Sequence, residues 1–422
     1  MNTPEVSSSL KTHVVLKSFS LFLLLILNIL FARYYAAAAT GWVFYLFTVN
    51  SFIIQLFGFS LEAGVAYYTA RKSIRESRLI NFSLIWTLVV SLITLLLYSV
   101  YSAYYPSRVE YPIMYPIAFV TGNLLIAFGN AIYYSKHNFI TPNILSTFIN
   151  LALIIFLVVS FEYSKVEMPM AFIPVYFYSF FIHGLILFFT LFIVSKEDKF
   201  LLNISSKSVR RVFRYSSYAF IANLLFLGIT RIDYFFIRHF NTAEELGNYI
   251  QVSKIAQLFF VLPAMISTVL FPLIASGSER DIKKTIKDFS VKLLMLYGGL
   301  CLLIAASGYW LFPFVFGPTF SKMYIPFLLI IPGILAISGL YPYTAYFAGE
   351  NKIRVNITGS LLAFLFIVVA DYLFIPKYGI NAAALISSIG YFIYYCYVFI
   401  VFKKETRIEK DSLANILVSQ QT

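Results

Sequence analysis

The chain has 422 residues, of which 60% are hydrophobic and only 12% charged, with a formal net charge of +13 at pH 7. Soluble domains run at about half apolar and about a quarter charged, so a soluble enzyme is excluded. Cys301 and Cys396, the two cysteines, stand far apart inside apolar runs. They supply neither a disulfide framework nor metal-ligand spacing.

Apolar runs near the ~20 residues that a bilayer requires recur from end to end. About twelve spans are predicted, centred near residues 25, 55, 92, 123, 150, 183, 227, 261, 300, 336, 364 and 391. No small-residue cleavage site follows the first, which reads as a retained helix rather than a removed signal peptide. The second ends in "GFSLEAGVAYYTARK", where Glu62 lies near the inner end and is expected to pair with a base such as Arg71. After the third comes "YSVYSAYYPSRVEYPIMYP", whose tyrosines mark an interfacial aromatic belt. His183 sits near the middle of the sixth span, as a proton carrier or as a hydrogen-bonded structural histidine. The longest connection, "SKEDKFLLNISSKSVRRVFRYSS", Ser195 to Ser217, is basic with a few apolar residues and is expected to lie on the membrane surface. Span seven ends in "LGITRIDYFFIRHF", which places Arg231, Asp233 and Arg238 in an otherwise largely apolar run. Lys254 lies inside span eight. Asp371 precedes "IPKYGINAAA" at the outer end of span eleven, where a helix-end or interhelical hydrogen-bond role is expected.

The chain repeats itself. "YYSKHNFITPNI", from Tyr133, and "YFAGENKIRVNI", from Tyr346, share five of twelve positions at an offset of 213 residues. "ARYYAAAATGW" aligns with "IRHFNTAEELGNY", matching Arg33 to Arg238 and Gly41 to Gly247 at offsets of 205 and 206. The basic loops at 71–78 and 280–287 fall at a similar offset. Three matches in one order imply two homologous halves of about six spans, residues 1–200 and 201–422. Six is even, so both halves insert the same way round. The expected fold is an all-α membrane protein of about twelve transmembrane helices, in two parallel pseudo-repeat six-helix bundles around a central cleft. With both termini in the cytoplasm, the inner segments hold 24 of the 32 Lys and Arg and the outer ends hold six. That is the asymmetry of the positive-inside rule, and it accounts for the net charge without a nucleic-acid partner.

Arg231 and Lys254 are the two basic residues left over, inside spans. A charge at mid-membrane costs at least ~2.5–3.5 kcal/mol, so such groups usually face a polar cavity and do something there. Both lie seven or eight residues below an outer end, ~12 Å at ~1.5 Å per residue, so both can project into one cleft. Asp233 is two residues from Arg231 and cannot be its i,i+4 partner. Uncancelled cations facing a cavity call for an anion; internal salt bridging is the competing reading. Arg238 reads as snorkelling to the interface. Arg33, at the outer end of span one, is either a lumen ligand or an interfacial anchor. Asp233 either pairs with a cation from another helix or serves ion coupling, for which His183 and Glu62 are further candidates. "FGPTF" and "YGGL" lack the residues of a phosphate cradle. No Ser-His-Asp set, metal-ligand cluster or cofactor site is expected.

The segment "RIDYFFIRHFNTAEELGNYIQVSKIAQLFFVLPAMISTVLFPLIA" resembles the one that opens the second half of the polysaccharide flippases. There an Asp in span seven precedes a "G-x-Y", a basic residue and a closing "P", here Asp233, Gly247, Tyr249, Lys254 and Pro272. "FGPTF…AGENKIRVNITG…FIPKYGINAAALIS", Phe316 to Ser387, is similar to a second signature, and "GFSLEAGVAYYTARK" to a first-half one. The resemblance covers nearly the whole chain. It implies the O-antigen (Wzx-type) flippase branch of the multidrug/oligosaccharidyl-lipid/polysaccharide exporter superfamily. Such a protein moves undecaprenyl-diphosphate-linked oligosaccharide units across the bacterial inner membrane, alongside polysaccharide polymerase and assembly proteins. Lys254 and Arg33 fall where two cavity cations of the related lipid II flippases would lie; together with the buried-charge reading, the candidate substrate-binding residues are Arg231, Lys254, Arg33 and Asp233. The absence of the two extra spans of lipid II flippases favours the oligosaccharide branch. Tyr343, Tyr346 and Asn223 are candidates for sugar contacts, although most such aromatics are packing or belt residues. A cation-coupled drug antiporter would want acids deep in the first bundle, where only Glu62 is available. A membrane glycan polymerase or ligase would want a larger outer loop than this chain offers.

Overall fold

The computed structural model describes residues 3–105, 111–163, 169–194, 206–275 and 282–419. They form α1 Thr3–Gly58, α2 Leu61–Ala70, α3 Glu76–Tyr104, α4 Met114–Ser135, α5 Ile140–Tyr163, α6 Pro169–Val194, α7 Ser206–Arg231 and α8 Asp233–Phe240. There follow α9 Ala243–Ala275, α10 Ile282–Phe316, a 3-10 segment Pro318–Met323, α11 Tyr324–Gly349 and α12 Ile353–Ser419.

Among the described residues, ten helical runs are long and apolar enough to cross a membrane. Two of these are double length, Val15–Gly58 with 44 residues and Ile353–Arg407 with 55. At ~1.5 Å per residue each exceeds twice the ~30 Å hydrocarbon core. Each is broken once, at Ala36 (φ 60°, ψ 177°) and at Gly379 (φ 59°, ψ −144°). The Gly379 conformation is open almost only to glycine, and it lets α12 fold back: a Cβ on Gly390 would stand 2.5 Å from Ile367. Counting both halves of each broken run gives the twelve spans that hydropathy predicts. The connection expected on the membrane surface is helical from Ser206 onward, and residues 195–205 lie outside the described set. Val209, Val212 and Phe213 recur at helical spacing there and pack onto the apolar core of α2, α3 and α4.

The chain divides into two compact units, Met1–Ala36 with Val43–Leu224, and Ala37–Trp42 with Leu225–Thr422. In the first, α4 meets α6 at two glycines: a Cβ on Gly184 would stand 2.7 Å from the Gly122 carbonyl, and one on Gly122 would strike the Phe180 backbone. In the second, α11 is central, with α9, α10 and α12 against it. Its Gly333 lets α12 approach, since a Cβ there would lie 2.7 Å from Ser388 Cα. The second unit also holds the contact of Gly41 with Gly247, the pair aligned by the sequence repeat. A Cβ on Gly41 would lie 2.6 Å from the Gly247 nitrogen. Beside it Ala37 N–H donates to Thr319 Oγ1 at 3.1 Å.

Gly184→Val should lower stability by about 1–3 kcal/mol through overpacking. Gly298→Ala should leave it unchanged or higher, because nothing lies within 4 Å of the added methyl and Ala is the better helix former. Thermal unfolding of the detergent-solubilised protein compares the two.

Candidate functional site

Polar side chains of the second unit converge from α7, α8, α9 and both halves of α12. Arg231 closes α7, and Asp233 opens α8 two residues later, across Ile232, whose φ of −65° and ψ of −32° remain helical. The 3.6-residue period then separates the two charges. Asp233 is buried, 1% exposed, while Arg231 is half-buried.

The Arg231 guanidinium is held by neutral groups. Its Nη2 donates to Gln257 Oε1 at 2.7 Å and its Nη1 to Tyr234 Oη at 3.4 Å, with Cζ 5.4 Å from the Tyr234 ring centroid. Gln257 lies three residues after Lys254 on α9, so the two share a helix face. Lys254 is half-buried and close enough to Arg231 for their like charges to repel. Among the described residues no carboxylate forms an ion pair with Arg231, although Asp233 is close enough for their opposite charges to attract.

A second polar cluster adjoins. Tyr249 Oη donates to Asp233 Oδ2, and Ser387 Oγ donates to the same oxygen at 3.1 Å. The Tyr249 and Tyr234 rings meet edge to face at 5.9 Å. That contact joins the carboxylate to the Arg231 group through two buried phenols. Asp371 is fully buried, 0% exposed, and close enough to Asp233 for the two carboxyls to repel. The hydrogen-bond role expected for Asp371 is not found, because neither of its oxygens has a partner among the described residues, nor does Asp233 Oδ1. Ser387 and Asp371 lie on opposite sides of the Gly379 break, so only the folded-back α12 brings both to Asp233. Buried carboxyl oxygens without donors are costly unless a proton or a cation joins them.

Arg33, His183 and Glu62 belong to the first unit. Arg33 is exposed on α1, three residues before the Ala36 break. His183 is buried on α6, and its Nε2 has no partner among the described residues. Glu62 is half-buried in the first turn of α2. The ion pair expected between Glu62 and Arg71 is absent; the Arg71 guanidinium lies 4.7 Å from the Tyr67 ring centroid instead. Arg238 is exposed near the end of α8. Tyr343 and Tyr346, candidates for sugar contacts, are 2% and 3% exposed and packed on Phe402 at 4.9 and 5.1 Å. No group of three His, Cys, Asp or Glu able to hold a metal occurs among the described residues.

Gln257 and Ser387 carry the site without a role assigned from sequence, and Tyr249 stands there only as the Tyr of the G-x-Y signature. Gln257, a lone amide in "KIAQLFF", gave the clearest signal.

No known protein family matches the chain, and no curated protein matches it. Solved structures do match in fold. The lipid II flippase MurJ, in an inward closed conformation, superposes with a TM-score of 0.71 at 15% identity, covering 93% of this chain and 87% of that one. An inward-facing multidrug resistance MATE family transporter of the MOP superfamily gives 0.71 at 12% identity, covering 91% and 94%. A MOP superfamily transporter from Pyrococcus furiosus gives 0.64 at 13% identity, covering 95% and 96%. The chain therefore has the fold of these membrane transporters.

Tyr249→Phe removes one donor to a buried carboxylate and should cost about 1.5–3 kcal/mol. Tyr234→Phe loses only a 3.4 Å contact with Arg231 and should cost less. Thermal midpoints of the two variants check the order.

Proposed function

We propose that the chain is a flippase for lipid-linked oligosaccharides. It moves undecaprenyl-diphosphate-linked repeat units from the cytoplasmic to the outer leaflet of a bacterial inner membrane by alternating access, for O-antigen, capsule or exopolysaccharide synthesis. Both termini lie in the cytoplasm on this reading, and polysaccharide polymerase or assembly proteins take over the product. One observation carries it: Arg231, within the membrane-spanning region, is held in place by an amide and a phenol, and among the described residues no carboxylate forms an ion pair with it. A cation kept in that state at such cost is suited to an anion that arrives and leaves. A lipid diphosphate supplies that anion, and Arg adds a forked geometry that Lys lacks. Lys254 reinforces Arg231, and Arg33 contributes where its side chain reaches water. The prenyl tail stays in lipid while the head group crosses.

The Asp233 and Asp371 pair supports an added element, coupling to a proton or a monovalent cation, which would answer the three carboxyl oxygens that lack donors. His183 and Glu62 are subsidiary candidates for the same role. The same pair, with the likeness to a MATE family transporter, favours a second reading: a cation-coupled antiporter of small molecules.

Arg231→Ala and Lys254→Ala should each abolish glycan export with membrane abundance near normal. Lys254→Arg should be tolerated better than Lys254→Ala, and Arg33→Ala should lose only part of the activity. Complementation of a flippase-deficient strain, with levels followed by blot, reads this out; wild-type export by both alanine variants would sink the proposal. For coupling, a bound cation at about 100 times its dissociation constant adds ~2.7 kcal/mol of stability. The thermal midpoint should therefore rise with sodium or potassium at constant ionic strength, or move with pH if the partner is a proton. Asp371→Asn should remove that response.

A further inference from the structure

The helix of span two is broken just past the end of the apolar run Val15–Gly58. α1 ends at Gly58 and α2 begins at Leu61, and the two residues between, Phe59 (φ 54°) and Ser60 (φ 47°), are both left-handed. Consecutive non-glycine residues in that region are strained, and such strain persists only where the surroundings over-determine it. Trp86 Nε1 donates to the Phe57 carbonyl at 3.0 Å, satisfying one backbone group that the break frees. Ser60 Oγ, 3% exposed, accepts from two carboxamides at once, Gln55 Nε2 at 3.0 Å and Asn223 Nδ2 at 3.1 Å. The rings of Phe59 and Phe220 stack at 4.3 Å beside them.

Holding the break in place needs fewer polar groups than this. Ser60 alone gives a hydroxyl, yet two amides also converge on it, and each leaves its carbonyl oxygen without a protein donor among the described residues. Asn223 is exposed on α7 although it lies six residues past Ser217, inside the apolar stretch that follows the basic connection. An exposed amide at that position is costly against hydrocarbon, so this side of α7 faces a polar pathway. Two fixed acceptors beside a stacked aromatic pair, with no charge among them, suit neutral hydroxyl donors on an apolar-faced ring. They do not suit a phosphate, which would bring acceptor oxygens against acceptor oxygens.

We propose that Gln55, Ser60 and Asn223, with the Phe59 and Phe220 rings, form a recognition site for a pyranose of the transported glycan. The site rests on the flippase reading and assigns the sugar end of the substrate, separate from the cations assigned to the diphosphate. The amide carbonyls accept sugar hydroxyls, and the ring pair takes the C–H face. The strained break holds both amides at a fixed angle, so that little freedom is lost on binding.

The test uses the full chain in lipid nanodiscs and two probes, undecaprenyl diphosphate and the same lipid carrying one N-acetylglucosamine. Binding is read by titration with native mass spectrometry. The wild type should prefer the glycosylated lipid. Gln55→Leu and Asn223→Leu should each weaken that lipid about five-fold, one hydrogen bond's worth, and leave the bare lipid unchanged. Arg231→Ala should weaken both probes alike. Ser60→Gly suits the left-handed backbone without strain and should keep the thermal midpoint while losing the preference. It serves as the test if the leucine variants fail to fold. Equal binding of both probes by the wild type, or an undiminished preference in the variants, overturns the sugar site and leaves the flippase reading standing. Binding of neither probe by the wild type overturns that reading itself.

Discussion

Hydrocarbon offers no hydrogen bonds, so every polar group in a membrane span must find its partner inside the chain or at a watered surface. Most of this protein obeys that constraint through its helices. Buried Ser and Thr return their hydroxyls to the preceding turn, as Thr48, Ser83, Thr87 and Thr94 do. The exceptions are therefore informative. Arg231 has neutral hydrogen-bond partners; Asp233 and Asp371 keep three oxygens without donors among the described residues; Gln55 and Asn223 leave acceptors open beside a helix break. Each is a place where the proposed substrate or coupling ion would complete the bonding.

These exceptions lie where helices are interrupted. The Gly379 break folds α12 back and sets Ser387 and Asp371 around Asp233. The Phe59–Ser60 break turns the start of α2 and gathers two amides on one hydroxyl. At Ile232 the backbone stays helical, yet α7 hands over to α8 there with Arg231 and Asp233 on different sides. An uninterrupted helix repeats its faces every ~3.6 residues and cannot bring side chains sixteen residues apart on one strand of sequence to a common point. Glycine against backbone at Gly184, Gly247 and Gly333 does the complementary work of letting helices approach closely enough for short side chains to meet.

The amino-acid sequence by itself determined the class and the number of spans. Run length and apolar content answer directly to bilayer thickness, and a charge inside such a run stands out wherever the helix later packs. For that reason Arg231, Asp233 and Lys254 were legible as candidates. The Gly41 and Gly247 match was legible too, as an internal repeat. Only the tertiary structure decided what those charges touch. Tyr249 and Ser387 are neutral residues of common types, and nothing in local spacing says that a residue 138 positions away in the chain shares Asp233 with Tyr249. Asp371 was visible as a charge, but its want of a donor is a property of its neighbours. The Phe59–Ser60 break has neither residue as glycine or proline, so no local propensity announces it. Hydropathy is a sum over a segment and survives in one dimension. Hydrogen-bond satisfaction is a property of pairs brought together by packing, and it exists only once the helices are in place.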